Sequence, residues 1–281
     1  MPLVNSASLI EDARSHNRGI GAFNVIHLET AEALDRAARS SGPLIMQISQ
    51  NCAAYHGELE TIALPTLSIA RNSTAPIAVH LDHADNFETV RQAIHLGFSS
   101  VMFDASALPY AENVAKTAEV VEYAHTRGVH VEAELGEIGG KDGAHAPGVR
   151  TDPVEAAKFV EETGVDSLAV AVGSSHAMTQ RTATVDHKLI RDLARALSVP
   201  LVLHGSSGVP DGDIVTAIRS GMTKINVSTQ LNKIFTASLR ETLEDNPDMV
   251  DSRKYIRPAR VALSVEAARL NALFALRTTA D

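Results

Sequence analysis

Eight short apolar runs, each followed by a polar or amphipathic stretch, constrain this chain more than any other feature. They are Ile20–Val25, Pro43–Ser49, Pro76–Asp82, Ser99–Asp104, Val129–Leu135, Asp166–Val172, Pro200–His204 and Lys224–Val227. Most are near-continuous rather than alternating, as expected of parallel strands covered on both faces. Helical spacing of apolar residues runs through Glu29–Ser40, Asn86–Leu96, Ala111–Arg127, Pro153–Thr163, Asp186–Leu197 and Asp211–Ser220. Gly97, Gly128, Gly164 and Gly221 each stand where such a helix ends and the next strand is about to begin. Strands alternating with helices in this number predict an α/β chain folded as a (β/α)8 TIM barrel; a doubly wound open sheet is the alternative. From Leu231 the pattern turns helical, interrupted at Asn246-Pro247-Asp248 and Asp251-Ser252-Arg253, which predicts a C-terminal helical extension. With 281 residues, 44% of them hydrophobic, and no long linker, residues 1–281 read as a single domain.

Composition narrows the function classes. No apolar run is long enough for a membrane span. Met1–Ser6 lacks a basic region leading into an apolar stretch, so no signal peptide is expected. The lone Cys52 excludes an internal disulfide and suits a reducing cytoplasm. A net charge of −9 without a long basic run makes nucleic acid and anionic membranes poor partners. A small phosphorylated substrate remains open, because backbone amides and a few cations hold phosphate inside an acidic protein.

In a barrel, chemistry sits at the C-terminal strand ends. This chain places Asn24, Ser49, Asp82-His83, Asp104 and Glu134 there, then His176, His204-Gly205 and Asn226 to Thr229. Of 12 histidines, only His83, His176 and His204 stand at or just after the end of an apolar run on that rim. Three neutral imidazoles with an open fourth position make a catalytic zinc arrangement, whereas each alone is an ordinary hydrogen-bonding residue. Alternation starts the Asp82 side chain on the opposite side from His83, and strand twist is needed to bring it beside a metal. There it could move a proton on a substrate hydroxyl or simply hold a ligand histidine. His80, on the alternation face of Asp82, reads as a buried structural residue. The turns His204–Pro210 and Asn226–Thr229 have the glycines and hydroxyls of phosphate-binding βα turns, with a plain capped turn as the other reading of each. Gly136–Asp152 is Gly-rich and aperiodic, a candidate active-site loop.

Taken together these motifs resemble the class II, zinc-dependent ketose-bisphosphate aldolases, the fructose-bisphosphate aldolases and their tagatose-bisphosphate relatives. The match covers Gly21–Asn24, Gln47–Ser49, Leu81–His83, Val101–Ser106, Glu132–Gly136, Gly139-Gly140, Gly173–His176, Leu203–Pro210 and Lys224–Leu231. The last motif, Asn-Val-Ser-Thr-Gln-Leu, is closer to the tagatose type. The resemblance implies zinc on His83, His176 and His204, and Asp82 as the acid/base at the C4 hydroxyl. It implies Gly205, Ser207, Asn226, Ser228 and Thr229 around the dihydroxyacetone phosphate end, with Asn24 and Ser49 as further substrate-binding positions. Asp104 and Glu134 match a second metal site of some members but are expected here to be polar groups supporting the ligands rather than ligands themselves, and a monovalent cation is another candidate ion. Arg253 matches an arginine that grips the other phosphate, in some members across a subunit interface, which implies a homodimer or homotetramer; a solvated surface charge is the equal alternative for it.

Three departures stand out. The loop glutamate two residues after Gly-Gly is Asp142 here, one methylene shorter, with Glu137 as a substitute second acid. The ligand motif reads His176-Ala177 rather than His-Gly. Ser228 replaces an acidic residue of the fructose type. The expected activity is reversible aldol cleavage of a ketose 1,6-bisphosphate to dihydroxyacetone phosphate and an aldehyde such as glyceraldehyde 3-phosphate. An aldolase for another phosphorylated keto-sugar or sugar acid, a catalytically impaired metabolite binder and a metal-dependent hydrolase are the competing readings.

Overall fold

The computed structural model describes residues 3–136, 150–176 and 178–277. Eight strands form: β1 (Ile20–Asn24), β2 (Leu44–Ser49), β3 (Ile77–Ala84), β4 (Ser100–Phe103), β5 (His130–Leu135), β6 (Ser167–Val170), β7 (Leu201–Leu203) and β8 (Met222–Val227). Each pairs in parallel with the next, and β8 returns to β1, so the sheet is a closed barrel in chain order. The sequence runs locate all eight. Their ends differ by a few residues: β6 is shorter than Asp166–Val172, and β8 starts at Met222 rather than Lys224.

The helices α1 (Ser6–Ser15), α2 (Leu28–Ser41), α3 (Gln50–Tyr55), α4 (Leu59–Asn72), α5 (Phe87–Leu96), α6 (Tyr110–His125), α7 (Pro153–Thr163), α8 (His187–Ala196) and α9 (Asp211–Arg219) surround this barrel. Gly97 and Gly164 end α5 and α7 in the left-handed conformation, at φ 99° and 70°. Only glycine adopts that backbone without a Cβ penalty. The extension is a pair of helices, α10 (Thr229–Asp245) and α11 (Ser252–Phe274), broken where the sequence predicts. Asp251 caps α11 by accepting from the Arg253 amide at 3.1 Å. Asn271 ties α11 to the turn before β2, with its amide 3.1 Å from Ser41 Oγ and 3.0 Å from the Pro43 carbonyl. Among the described residues, no helix is long and apolar enough to cross a membrane.

The main core lies between sheet and helices, where one face of every strand meets residues such as Leu34, Leu67, Phe159 and Ile190. Inside the barrel the apolar filling is thinner. Ile20, Ala22, Ile45 and Ala78 close its N-terminal end together with Ile10 and Ala13 of α1. Met102, Ala169, Ala171 and Val202 form a second small cluster. Polar side chains occupy much of what remains, and they lead to the C-terminal rim.

Candidate active site

A cavity of about 520 Å³ opens at the C-terminal rim. Asn24, Ser49, Asp82, His83, Asp104, Glu134 and His176 line it. Gly205, Ser207, Asn226, Ser228 and Thr229 complete the lining. His204 sits beneath, fully buried. The anticipated Arg253 is not part of this set. Arg253 is exposed, with 86% of its side-chain surface accessible, and pairs with Asp251 at 3.0 Å outside the cavity. Asp142, with its substitute Glu137 and with Ala177, lies outside the described residues.

Strand β3 delivers two adjacent side chains to one cavity by breaking its own alternation. Pairing with β4 is regular to Leu81↔Val101, then shifts register before Ala84↔Phe103. At the shift His83 takes φ 49°, left-handed for a non-glycine residue. A local backbone inversion, not the twist expected from the sequence, therefore turns His83 inward beside Asp82. Residues held in this region cost about 1–3 kcal/mol and persist only where the surroundings hold them. Here the His83 ring is fixed through Nδ1, 2.8 Å from Asp104 Oδ2. Asp104 is itself held by the Ser106 hydroxyl at 2.7 Å.

The three histidines converge. Ring centroids lie 4.6 Å apart for His83 and His204, 5.2 Å for His83 and His176, and 5.7 Å for His176 and His204. One donor atom from each of His83, Glu134, His176 and His204 falls within 4.8 Å of the others. Tetrahedral zinc at ~2.0–2.1 Å from each nitrogen would need donors roughly 3.3 Å apart, somewhat closer than the outer limit of this set. His204 supports the fit most directly. Its Nε2 lies 3.0 Å from Glu132 Oε1, while its Nδ1 is buried, makes no hydrogen bond and points toward Glu134 Oε2 at 3.6 Å. Burial lowers the His204 pKa to about 4 against the opposing pull of Glu132, so the ring is neutral at pH 7 and its lone pair is available. The residues present therefore fit a bound metal ion.

Asp82 sits beside this cluster, with Oδ1 3.9 Å from His83 Nε2. Asn24 Nδ2 donates to its Oδ2 at 3.1 Å, and Asn226 Nδ2 approaches Oδ1 at 3.4 Å. Gln47 Nε2 in turn donates to Asn24 Oδ1 at 2.8 Å. Asn24 and Asn226, anticipated as substrate-binding residues, thus also orient the carboxylate. Burial pushes the Asp82 carboxyl up, but attraction to His83 and His204 in their protonated forms and to Lys224 outweighs it and holds the pKa at about 2.

The two suspected phosphate turns are joined. The Ser206 hydroxyl donates to the Asn226 carbonyl, and Ser207 Oγ accepts from the Gln230 amide at 3.1 Å. Ser228 precedes α10 without a side-chain cap bond, and it lines the cavity together with Thr229, the first residue of that helix. Ser49 lines the cavity while capping α3 through the Cys52 amide at 3.2 Å.

Two residues at the base of the site carried no assignment from the sequence. Lys224 Nζ lies 2.8 Å from Glu132 Oε2, both fully buried. Glu132 is a charge inside a strand run and Lys224 is a charge that opens one, and those mismatches were the available signal.

Comparison with known proteins agrees with this geometry. The family model described as "Fructose-bisphosphate aldolase class-II" matches residues 4–277. This chain belongs to the class II fructose-bisphosphate aldolase family. It is 42% identical over 269 residues to a probable fructose-bisphosphate aldolase of Bacillus subtilis, covering 94% of each chain. It is 41% identical to a fructose-bisphosphate aldolase of Staphylococcus aureus over the same share. Among solved structures, the YdjI aldolase of Escherichia coli superposes with a TM-score of 0.84 at 32% identity, covering 99% of this chain and 100% of that one. A putative fructose-1,6-biphosphate aldolase of Coccidioides immitis gives 0.86 at 29% identity, covering 96% of each chain. As a class II aldolase the protein is a carbon–carbon lyase of carbohydrate metabolism, from a family that acts on phosphorylated sugars and is typically metal dependent. The His83, His176, His204 and Glu134 cluster is the group of described residues in this aldolase suited to that metal.

Proposed function

We propose that this class II aldolase catalyses the reversible, zinc-dependent cleavage of a ketose 1,6-bisphosphate to dihydroxyacetone phosphate and an aldehyde such as glyceraldehyde 3-phosphate. The observation that carries the reading is the convergence of three imidazoles beside Asp82, at a rim that also holds two joined phosphate-type turns. The names of the relatives favour the fructose isomer, and the Asn226–Leu231 motif favours the tagatose isomer.

His83, His176 and His204 would hold the zinc, with Asp104 fixing the His83 ring and Glu134 offering a fourth donor within the same set. When bound, zinc supplies Lewis-acid stabilisation for the negative charge that develops on the ketone half during bond cleavage. Asp82, ionised and aimed by Asn24 and Asn226, takes the C4 hydroxyl proton as the C3–C4 bond breaks. Gly205, Ser207, Ser228 and Thr229 line the end where the phosphate on the ketone half is held, at the start of α10. The proton returned to the carbon of the ketone half is assigned to Asp142, with Glu137 as the alternative.

The direct test is triose phosphate release from fructose and tagatose 1,6-bisphosphates by the enzyme as isolated, after chelation and after zinc restoration. Loss of several kcal/mol of charge stabilisation predicts a fall of at least about a hundredfold on chelation, reversed by zinc. Undiminished turnover by metal-free protein would refute the assignment.

Arg253 stands in the first turn of α11, remote from its own cavity. Helix α10 buries only Leu231 among its 17 residues within one chain. We assign this helical pair to a homodimer or homotetramer interface that carries Arg253 to the second phosphate of a neighbouring subunit. Light scattering should show an assembly, and Arg253→Ala should raise KM for the bisphosphate with little change in kcat. A purely monomeric active enzyme excludes the arrangement.

A further inference from the structure

We propose that Lys224, Glu132 and His80 form a positioning chain through the barrel interior that sets the tautomer and orientation of His204, and through it the metal affinity of the site. The proposal rests on reading His204 as a metal ligand.

Barrel interiors of this fold are usually filled by bulky branched apolar side chains. Here the layer below the site is charged. Lys224 comes from β8, Glu132 from β5 and His80 from β3, strands that are not neighbours, so their contacts cross the lumen. Lys224 Nζ lies 2.8 Å from Glu132 Oε2 and 3.4 Å from His80 Nε2, with all three residues buried.

The donor inventory orders this chain in one direction. An ammonium group only donates, so His80 Nε2 is an acceptor and its hydrogen is on Nδ1. Nδ1 meets Ser100 Oγ at 2.8 Å, and Ser100 passes its own hydrogen to Ser6 Oγ at 2.7 Å. On the other side the Glu132 carboxylate only accepts. Its Oε1 lies 3.0 Å from His204 Nε2, which places the His204 hydrogen on that nitrogen. A neutral imidazole has one N–H, so Nδ1 presents a lone pair to the histidine cluster, and Nδ1 is the buried atom without a hydrogen bond.

Asn226 makes the charge on Glu132 matter. Its Nδ2 lies 3.0 Å from the same His204 Nε2 and competes as a donor. Were Asn226 to win, Nε2 would accept, the hydrogen would move to Nδ1, and the lone pair facing the cluster would be lost. Lys224 holds Glu132 as the stronger partner. Stability alone does not account for the pair, since well-packed apolar residues commonly replace a buried ion pair without loss.

That equivalence supplies the test. Glu132→Leu combined with Lys224→Met removes both charges together and leaves neither one unpaired. Three quantities are read: the urea unfolding midpoint, zinc affinity by chelator competition, and the ring-nitrogen NMR signals of His204 in metal-free protein. The expected result is a near-wild-type midpoint, zinc affinity about 10–100-fold weaker, and the His204 hydrogen moved from Nε2 toward Nδ1. Wild-type zinc affinity and an unchanged Nε2–H signal in the double variant would overturn the proposal. If that variant does not fold, Glu132→Gln with Lys224→Met answers the same question. An amide donates as well as accepts, so both tautomers should appear, and a pure Nε2–H form with full zinc affinity again overturns the chain. A wild-type protein that takes up no zinc would instead remove the ligand reading of His204. The tautomer comparison in metal-free protein still decides whether the chain orders the ring.

Discussion

Asp82→Asn is expected to lower kcat by about 10²–10⁴-fold while zinc remains bound, the usual range for loss of a positioned general base. The substitution preserves shape and removes only the capacity to take a proton. Asp82 is 3% exposed and receives two side-chain amides, so its carboxylate is fixed before substrate arrives. Its pKa of about 2 keeps it charged throughout the neutral range. The three histidines are untouched, so metal content should stay near one per site while turnover falls. Rapid-quench measurement of the bond-breaking step, with zinc determined on the same sample, checks both halves. A variant that keeps more than a tenth of wild-type kcat would move the base elsewhere. Loss of zinc along with activity would instead make Asp82 a residue that holds His83 in place.

Gly205→Ala is expected to cost at least about a hundredfold in kcat/KM and to weaken zinc binding with it. Gly205 has φ 64°, and a Cβ added there would lie 2.6 Å from the carbonyl carbon and oxygen of Ser175 and 2.8 Å from its nitrogen. Those are backbone atoms, so relief requires one chain segment to move. Ser175 precedes His176 and Gly205 follows His204, so the movement displaces two of the three imidazoles and the His204–Pro210 turn together. A displacement of ~1 Å at reacting groups costs about 10²-fold in rate. The left-handed backbone adds roughly 1–2 kcal/mol of strain for any residue with a Cβ. Steady-state kinetics and chelator competition on one preparation read the effect. Kinetics and zinc affinity both close to wild type would show that the two segments can separate without disturbing the ligands.

Much of this was written locally in the chain. The eight strands were legible because they are buried on both faces and most are therefore near-continuous apolar runs. The rim residues were legible because parallel strands all point their C-terminal ends the same way, so Asn24, Asp82, Asp104, Glu134, His204 and Asn226 had to gather once the order of elements was known. The conformation of His83 was not legible. A left-handed residue that is neither glycine nor asparagine has no compositional mark, and it is held there by register with β4 and by Asp104. Lys224 and Glu132 were visible only as misplaced charges, since 92 residues separate them along the chain.

The sequence by itself determined which side chains reach the C-terminal rim, through residue periodicity and the order of strands, both local properties. It also determined the chemical character of that rim: imidazoles, the carboxylates of Asp82, Asp104 and Glu134, and two turns of the kind that can hold phosphate. Only the tertiary structure decided who meets whom across the barrel. Closure of β8 onto β1 brings β3, β5 and β8 face to face around one lumen, and pairings such as Glu132 with His204 and Lys224 exist only once that lumen has closed.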